Sequence, residues 1–185
     1  TISANFETKS SYSVIVSSTD SGSLSVSKTL TANVSNVNET PTAITLTGGT
    51  LAENIAGGSF GSLSTTDPDA SDTFTYSVLE GHDGTYFEIG TGGNLKFKPS
   101  YYGNFENKNV YKANIKSTDS GSLSLSKTLT VNISNVNEEP AFSSVAAVSV
   151  AENGTAVLTA TANDPEVSHT ASQSLTFSLG TGNDN

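Results

Sequence analysis

The side chains best suited to chemistry in this sequence are oxygen donors, and they fall in short groups that recur. Within one stretch the chain reads Ala-Glu-Asn at 52–54, Asp-Pro-Asp at 67–69, Asn-Phe-Glu at 104–106, Thr-Asp-Ser-Gly at 118–121 and Asn-Val-Asn-Glu-Glu-Pro at 135–140. Asn-Phe-Glu also stands at 5–7, Asn-Val-Asn-Glu-Thr-Pro at 36–41 and Asn-Asp-Pro-Glu at 163–166. Carboxylates, Asn side chains and carbonyls are the ligands calcium collects, about six to eight at a time. Several carboxylates brought together would repel unless a cation neutralised them. No lysine lies inside any of these groups, although Lys9 and Lys108 follow the two Asn-Phe-Glu glutamates by two residues. A plainer reading stands beside this one. Asp-Pro-Asp and Thr-Asp-Ser-Gly are good turn sequences, the Asn-Glu runs serve as polar linkers, and Phe6 and Phe105 are natural core residues.

Other chemistry is poorly provided for. The chain has no cysteine, so thiol catalysis, disulfides and Cys-ligated zinc are excluded. His82 and His169 lie in polar stretches without a recognisable Ser and Asp set and read as solvated, and no Gly-rich phosphate loop occurs. Paired carboxylates at domain ends suit ions better than a catalytic cleft, so no enzyme is expected. Eighteen acidic residues against eight lysines give a net charge of −10, a poor surface for nucleic acid. No apolar run approaches the roughly 20 residues that span a bilayer. Any export signal or anchor is expected outside this fragment. With 34% hydrophobic and 14% charged residues, the composition suits packed β-sandwiches rather than a charge-rich disordered chain.

These groups are spaced by a repeat. Residues 18–41 and 117–140 differ only at Val26/Leu125, Ala32/Val131, Val34/Ile133 and Thr40/Glu139, leaving 20 of 24 positions identical at an offset of 99. The same offset pairs the two Asn-Phe-Glu groups, Lys9 with Lys108, and Leu-Ala-Glu-Asn at 51–54 with Val-Ala-Glu-Asn at 150–153. It then drifts slightly, matching residues 74–78 to 175–179. A period near 100 residues is too long for a solenoid unit and fits one whole sandwich domain. The expected organisation is the C-terminal half of one repeat at 1–41, a complete repeat at 42–140 and the N-terminal part of a third at 141–185.

Period-2 alternation marks the strands that must hold the motifs. Phe74, Tyr76 and Val78 alternate with Thr73, Thr75 and Ser77; Phe87 with Ile89 and Leu95 with Phe97 flank a Gly-rich turn; Tyr111, Ala113 and Ile115 form another strand. Leu123, Leu125, Leu129, Val131 and Ile133 share a face of a long final strand, where Lys127 predicts a bulge or an edge. With strands near 43–47 and 58–65 the count is seven, and no window has convincing helical periodicity. The expected fold is all-β, a tandem Greek-key sandwich. Its predicted core is Phe74, Tyr76, Phe87, Ile89, Leu95, Phe97, Tyr111, Ile115, Leu129 and Val131.

In order and spacing the five motifs resemble a cadherin repeat, specifically the cadherin-like domains of large bacterial surface proteins, over essentially the whole chain. The resemblance implies an immunoglobulin/cadherin-like sandwich and calcium held between successive repeats. Carried over residue by residue, it implies Asn5, Glu7, Asn38 and Glu39 on the upstream side of the junction at 36–41, with Asp67, Asp69 and Asp119 from the downstream repeat. For the junction at 135–140 it implies Glu53, Asn104, Glu106, Asn137 and Glu138, then Asp164 and Glu166. The sequence departs from the family at Asn36 and Asn135, where Asp is usual, and at Asn5 and Asn104. The linker is also one residue shorter before its proline. Each Asn removes a negative charge, which implies weaker affinity or fewer ions, two or three per junction.

The resemblance thus implies a calcium-stiffened spacer of an extracellular adhesin or surface fibre at a bacterial surface, with neighbouring repeats as partners. The alternative is an adhesive module in which the repeat itself binds a glycan or a like repeat, with Tyr86 in the run 81–94 presented to the sugar. Strand exchange between the two partial repeats is disfavoured as a complete complementation, because neither partial repeat matches residues 85–99. Asn33, Asn38, Asn132 and Asn153 begin Asn-x-Ser/Thr sequons, expected to be unmodified in a bacterial chain.

Overall fold

Two four-stranded sheets face each other across a core of aromatic and branched side chains. The computed structural model describes residues 3–147, 149, 151–155, 159–168 and 174–181; His169 and Val150 lie outside them. The first sheet has the order β3 (Ala43–Gly48), β5 (Ser59–Thr66), β8 (Asn94–Phe97), β7 (Phe87–Gly90), all antiparallel. In the second, β4 (Thr50–Ala52) pairs parallel to β10 (Ser124–Ser134), which pairs antiparallel to β9 (Val110–Thr118), and β9 to β6 (Thr75–Leu79). This is an all-β, Greek-key, immunoglobulin/cadherin-like sandwich. Before it lies the hairpin of β1 (Ser11–Thr19) and β2 (Ser25–Asn33), and after it the short pair β11 (Ala141–Phe142) and β12 (Ala162–Asn163). The helical turns among the described residues are 3-10 turns of three and four residues, and no helix there is long and apolar enough to cross a membrane.

All seven expected strands are present, and a short strand that was not expected, β4, follows the first. Gly48 and Gly49 take φ of 104° and 98°, which side-chain-bearing residues rarely adopt, and the chain changes sheet there. Opposite, Gly61 has φ 136°, and a Cβ on it would lie 1.7 Å from the Thr47 carbonyl oxygen. The sandwich's bulge falls beside it, between Ser59 and Gly61, rather than at Lys127. β10 keeps an unshifted register against β9 from Ser124 to Asn132, and β4 covers its other side only from Asn132. Lys127 is thus on an edge, and its ammonium donates to the Ile44 carbonyl at 2.9 Å, linking β10 to the other sheet.

The core is Ile44, Phe60, Leu63, Phe87, Leu95, Phe97, Tyr111, Ala113, Ile115, Leu129, Val131 and Ile133. Phe87 stacks on Phe97 with centroids 5.2 Å apart, and Phe60 meets Phe97 edge-on at 4.9 Å. Burial of each such ring contributes about 1.5–3 kcal/mol, and the favourable geometry adds to it. Tyr76 and Ile89 pack against this cluster as partly buried neighbours. Phe74, expected inside, is only half-buried, because β6 starts one residue later and the preceding loop carries Phe74 to its margin.

Candidate metal sites at the ends of the sandwich

The loop after β5 folds around its own carboxylates. Asp67 Oδ1 accepts the Asp69 N–H at 3.0 Å, the turn bond expected of an Asp-Pro-Asp sequence. Asp69 then reaches back to the linker, where its two oxygens accept the Asn36 side-chain amide at 2.7 Å and the Glu39 backbone N–H at 2.8 Å. At the far end of β9, Asp119 Oδ1 accepts the Leu123 N–H at 2.8 Å and holds the turn into β10. Asp20 makes the same bond to Leu24 at 2.9 Å in the β1–β2 hairpin. The turn reading does not exclude the ligand reading, because at Asp67 and Asp119 one oxygen shapes the turn and the other stays out of it. Asp119 Oδ2 takes the Asn38 amide at 3.2 Å, so the linker is fastened here too. Gly121 makes room for that contact, since a Cβ on it would lie 2.3 Å from the Asn38 side chain.

Two carboxylate clusters result at this junction. One oxygen each from Glu7, Glu39 and Asp69 lie within 4.8 Å of one another, as do oxygens from Asp67, Asp72 and Asp119. Asp72 was not foreseen; its Oδ1 accepts the Ser120 hydroxyl at 2.6 Å, which draws it over the β9–β10 turn. The remaining oxygens Glu39 Oε2, Asp67 Oδ2 and Asp72 Oδ2 are buried without a hydrogen-bond partner. Partial burial pushes the Glu39 carboxyl above the usual range, and the charges of Glu7, Asp69 and Asp67 push it further. The Glu39 N–H and the Asn36 amide hold Asp69 below it. A cavity of about 310 Å³, lined by Phe6, Glu7, Asn36 and Pro68–Ser71, opens beside the first cluster.

The second junction repeats the design with one part more. Glu53, only 2% exposed, accepts the Phe105 N–H at 2.7 Å and the Val136 N–H at 2.8 Å, so it binds the Asn-Phe-Glu turn to the linker. Oxygens of Glu53, Glu106 and Glu138 lie within 4.8 Å of one another, and both oxygens of Glu106 and Oε2 of Glu138 are buried without a partner. Glu166 Oε1 accepts the Glu138 N–H at 2.7 Å, and Asp164 Oδ1 the Glu166 N–H at 3.0 Å, the same two bonds that Asp69 and Asp67 make. The Asn54 amide, 2.6 Å from Glu138 Oε1, pulls that carboxyl down. Burial, Glu166 and the charges of Glu53 and Glu106 outweigh it, leaving Glu138 above the usual range. A hydrogen bond shared with Glu166 raises Asp164 and lowers Glu166.

Not every expected ligand turns toward a cluster. Asn5 Oδ1 accepts the Thr8 N–H at 2.7 Å and Asn104 Oδ1 the Asn107 N–H at 2.8 Å, so both cap local turns. The Asn137 amide lies 3.4 Å from the Glu138 carbonyl. Lys108 turns away from Glu106 to pair with Asp83 and lies 4.8 Å from the Tyr111 ring centroid, while Lys9 lies 4.6 Å from that of Tyr12. Neither contact neutralises the acidic clusters. His82 is exposed. Tyr86, the suggested sugar platform, is half-buried and packs edge-on against Tyr101 at 4.9 Å and Tyr111 at 5.9 Å.

Oxygen-only donors, carboxylates aimed at one another and buried oxygens left unpaired fit a hard cation, and these clusters can hold one.

No family model matches the sequence, and no curated relative does. Solved structures do match. A protocadherin gamma-B7 structure of repeats EC3–6, solved as a cis-dimer, is 26% identical over 89% of this chain with TM-score 0.55. The protocadherin gamma-B4 extracellular domain is 26% identical over 87% with TM-score 0.57, and human protocadherin-24 EC1–2 is 19% identical over 71% with TM-score 0.54. The chain spans 42%, 27% and 69% of those three chains. The expected likeness to bacterial surface proteins is thereby corrected: the matches are protocadherin repeats. The ground for expecting unmodified sequons goes with it. Their fold is that of non-catalytic cadherin domains, and this chain carries the same cadherin-like β-sandwich repeat, with acidic clusters able to hold a cation and no catalytic arrangement among its described residues.

Proposed function

We propose that this chain is a calcium-stiffened spacer of an extracellular adhesion protein, with calcium at the junctions 36–41 and 135–140. The complete repeat is 42–140, flanked by the end of one repeat at 1–41 and the start of another at 141–185. One observation carries the reading: at both junctions the linker glutamate donates its N–H to an acidic residue of the next repeat, Glu39 to Asp69 and Glu138 to Glu166, beside carboxylates that lack a counter-charge. At the first junction Glu7, Glu39 and Asp69 would hold one ion and Asp67, Asp72 and Asp119 another. At the second, Glu53, Glu106 and Glu138 would hold one, with Asp164 and Glu166 alongside. Bound calcium supplies the positive charge that lets these carboxylates stay together. The chain's part is to place them from both sides of a short linker, so that occupancy fixes how one repeat sits on the next. Asn5, Asn104 and Asn137 serve by shaping the turns and linker that carry the glutamates.

Small-angle scattering of a two-repeat protein with complete flanking repeats tests the reading. Calcium should narrow the spread of maximum dimension relative to chelator, and magnesium should do so less, because it demands a small octahedral site and keeps its waters. A distribution unchanged by calcium would refute the spacer mechanism even if calcium binds.

A further inference from the structure

Four Asn-x-Ser/Thr sequons stand in this chain, at Asn33, Asn38, Asn132 and Asn153, and the fold treats them differently. Asn132 lies on β10 between Val131 and Ile133, which are 0% and 3% exposed. Side chains alternate across a strand, so Asn132 and Ser134, the two residues that define the sequon, project together from the outer face. Both are exposed, and the Asn132 side-chain amide has no partner among the described residues. The backbone there is fixed on both sides. Asn132 N–H donates to the Gly49 carbonyl at 2.7 Å, and its Cα partners are Thr50 on β4 and Val110 on β9. Its neighbours on the outer face are the small residues Thr50, Thr130 and Ser134, together with Val110, which is 43% exposed. An amide is thus held out into solvent with room beside it for a sugar ring.

Asn38 is placed in the opposite way. Its amide nitrogen donates to Asp119 Oδ2 at 3.2 Å, and a Cβ on Gly121 would lie 2.5 Å from that nitrogen. A sugar there has no space and would break the bond that fastens the linker. Asn153 corresponds to Asn54, whose amide donates to Glu138 at 2.6 Å, and so occupies a junction position as well. In the second linker Glu139 takes the place of Thr40, so the Asn38 sequon is not repeated. The Asn132 sequon does recur, 99 residues earlier, as Asn33-Val34-Ser35. Asn33 pairs with Ser11 as Asn132 pairs with Val110, so it holds the same place in its hairpin.

We propose that Asn132 carries an N-linked oligosaccharide, with a second at the equivalent Asn33 and none at Asn38. The donor is an oligosaccharide linked to a polyprenyl diphosphate. The Asn132 amide nitrogen bonds to its anomeric carbon, the amide gives up one proton, and the lipid diphosphate leaves. The inference rests on the extracellular reading above, since the modification needs a secretory route, but not on calcium. The first sugar covers the exposed apolar surface of Val110. The two repeats present one glycan each on the same sheet face, and the Asn38 amide keeps its bond to Asp119.

The full chain, exported from cultured eukaryotic cells behind an added signal peptide, tests this. Amidase release of glycans in heavy-oxygen water turns each occupied Asn into a labelled Asp, which peptide mass spectrometry locates. Label is expected at Asn132 and Asn33 and absent from Asn38. Ser134→Ala and Asn132→Gln should each remove one glycan mass from a chain that still melts cooperatively, because both side chains face solvent. Thr40→Ala should remove none. Because export is imposed, an unlabelled Asn132 faults the site and not the localisation, and occupancy at Asn132 is independent of whether calcium binds the junctions. Three results overturn the proposal: a secreted, folded chain with Asn132 or Asn33 unlabelled; label at Asn132 that persists in Ser134→Ala, which marks chemical deamidation; or a glycan at Asn38.

Discussion

Glu39 donates its backbone N–H to Asp69 Oδ2 at 2.8 Å, across the boundary between the linker and the loop that follows β5. Glu138 makes the corresponding bond to Glu166 at 2.7 Å. A backbone donor on the linker thus orients an acidic side chain of the next unit, while the glutamate's own carboxylate is left to the cluster.

Replacing both Asp67 and Asp69 by Ala should unhook the first junction and leave the second intact. The double variant loses the acceptor for Glu39 and Asn36 and one carboxylate from each of the two clusters. Isothermal calorimetry should lose the calcium equivalents of that junction alone, with the melting temperature in chelator nearly unchanged. A full complement of bound calcium would count against the assignment.

Glu53 should matter to folding as well as to the cation. Glu53→Ala removes the carboxylate that accepts the Phe105 and Val136 N–H groups at a part-buried site. A hydrogen bond to a charged group contributes about 1.5–3 kcal/mol net and less where water reaches the donor, so urea denaturation in chelator should show a loss of about 1–3 kcal/mol. Glu53→Gln keeps one acceptor oxygen and should lie between Ala and the native chain.

Gly121→Ala probes a contact beside the cluster without changing any of its carboxylates. The added methyl would stand 2.3 Å from the Asn38 side chain, overlap it and drive it off Asp119. Calcium affinity at the first junction should fall while the sandwich melts normally. Gly61→Ala makes the contrast: its clash is with the Thr47 backbone, so the fold itself should be strongly destabilised.

Acid should release a stabilising contact away from the clusters. Burial raises the Asp83 carboxyl, but the Lys108 hydrogen bond, the Lys112 N–H and the Lys108 charge outweigh it and hold the group below the usual aspartate range. A folded-state pKa below the unfolded one gives stability that is present above the unfolded value and is lost as pH falls through the folded one. Asp83→Asn should therefore be less stable than the native chain near neutrality and converge with it on the acid limb of urea midpoints measured in chelator. Parallel pH profiles would remove Asp83 from the account.

From sequence alone came what local pattern can carry. Alternation at Tyr111–Ile115 and Leu129–Ile133 is a property of the pleat, so the strands and the buried face followed from it. The 99-residue offset likewise exposed the equivalence of the two linkers, and the oxygen-only motifs pointed to a hard cation beside the plainer turn reading. Tertiary structure decided which carboxylates meet, because loop side chains point where distant partners draw them. Asp72 entered a cluster through Ser120, 48 residues away, while Asn5 and Asn104 were turned aside by N–H groups three residues on. The change of sheet at Gly48 and Gly49, which adds β4, was decided in the same way, where Gly61 of the neighbouring strand comes close. So was the fate of Lys108, whose charge went to Asp83 on a separate loop and left Glu106 unpaired. Period and composition fix what a residue can offer; only the packed chain fixes what it faces.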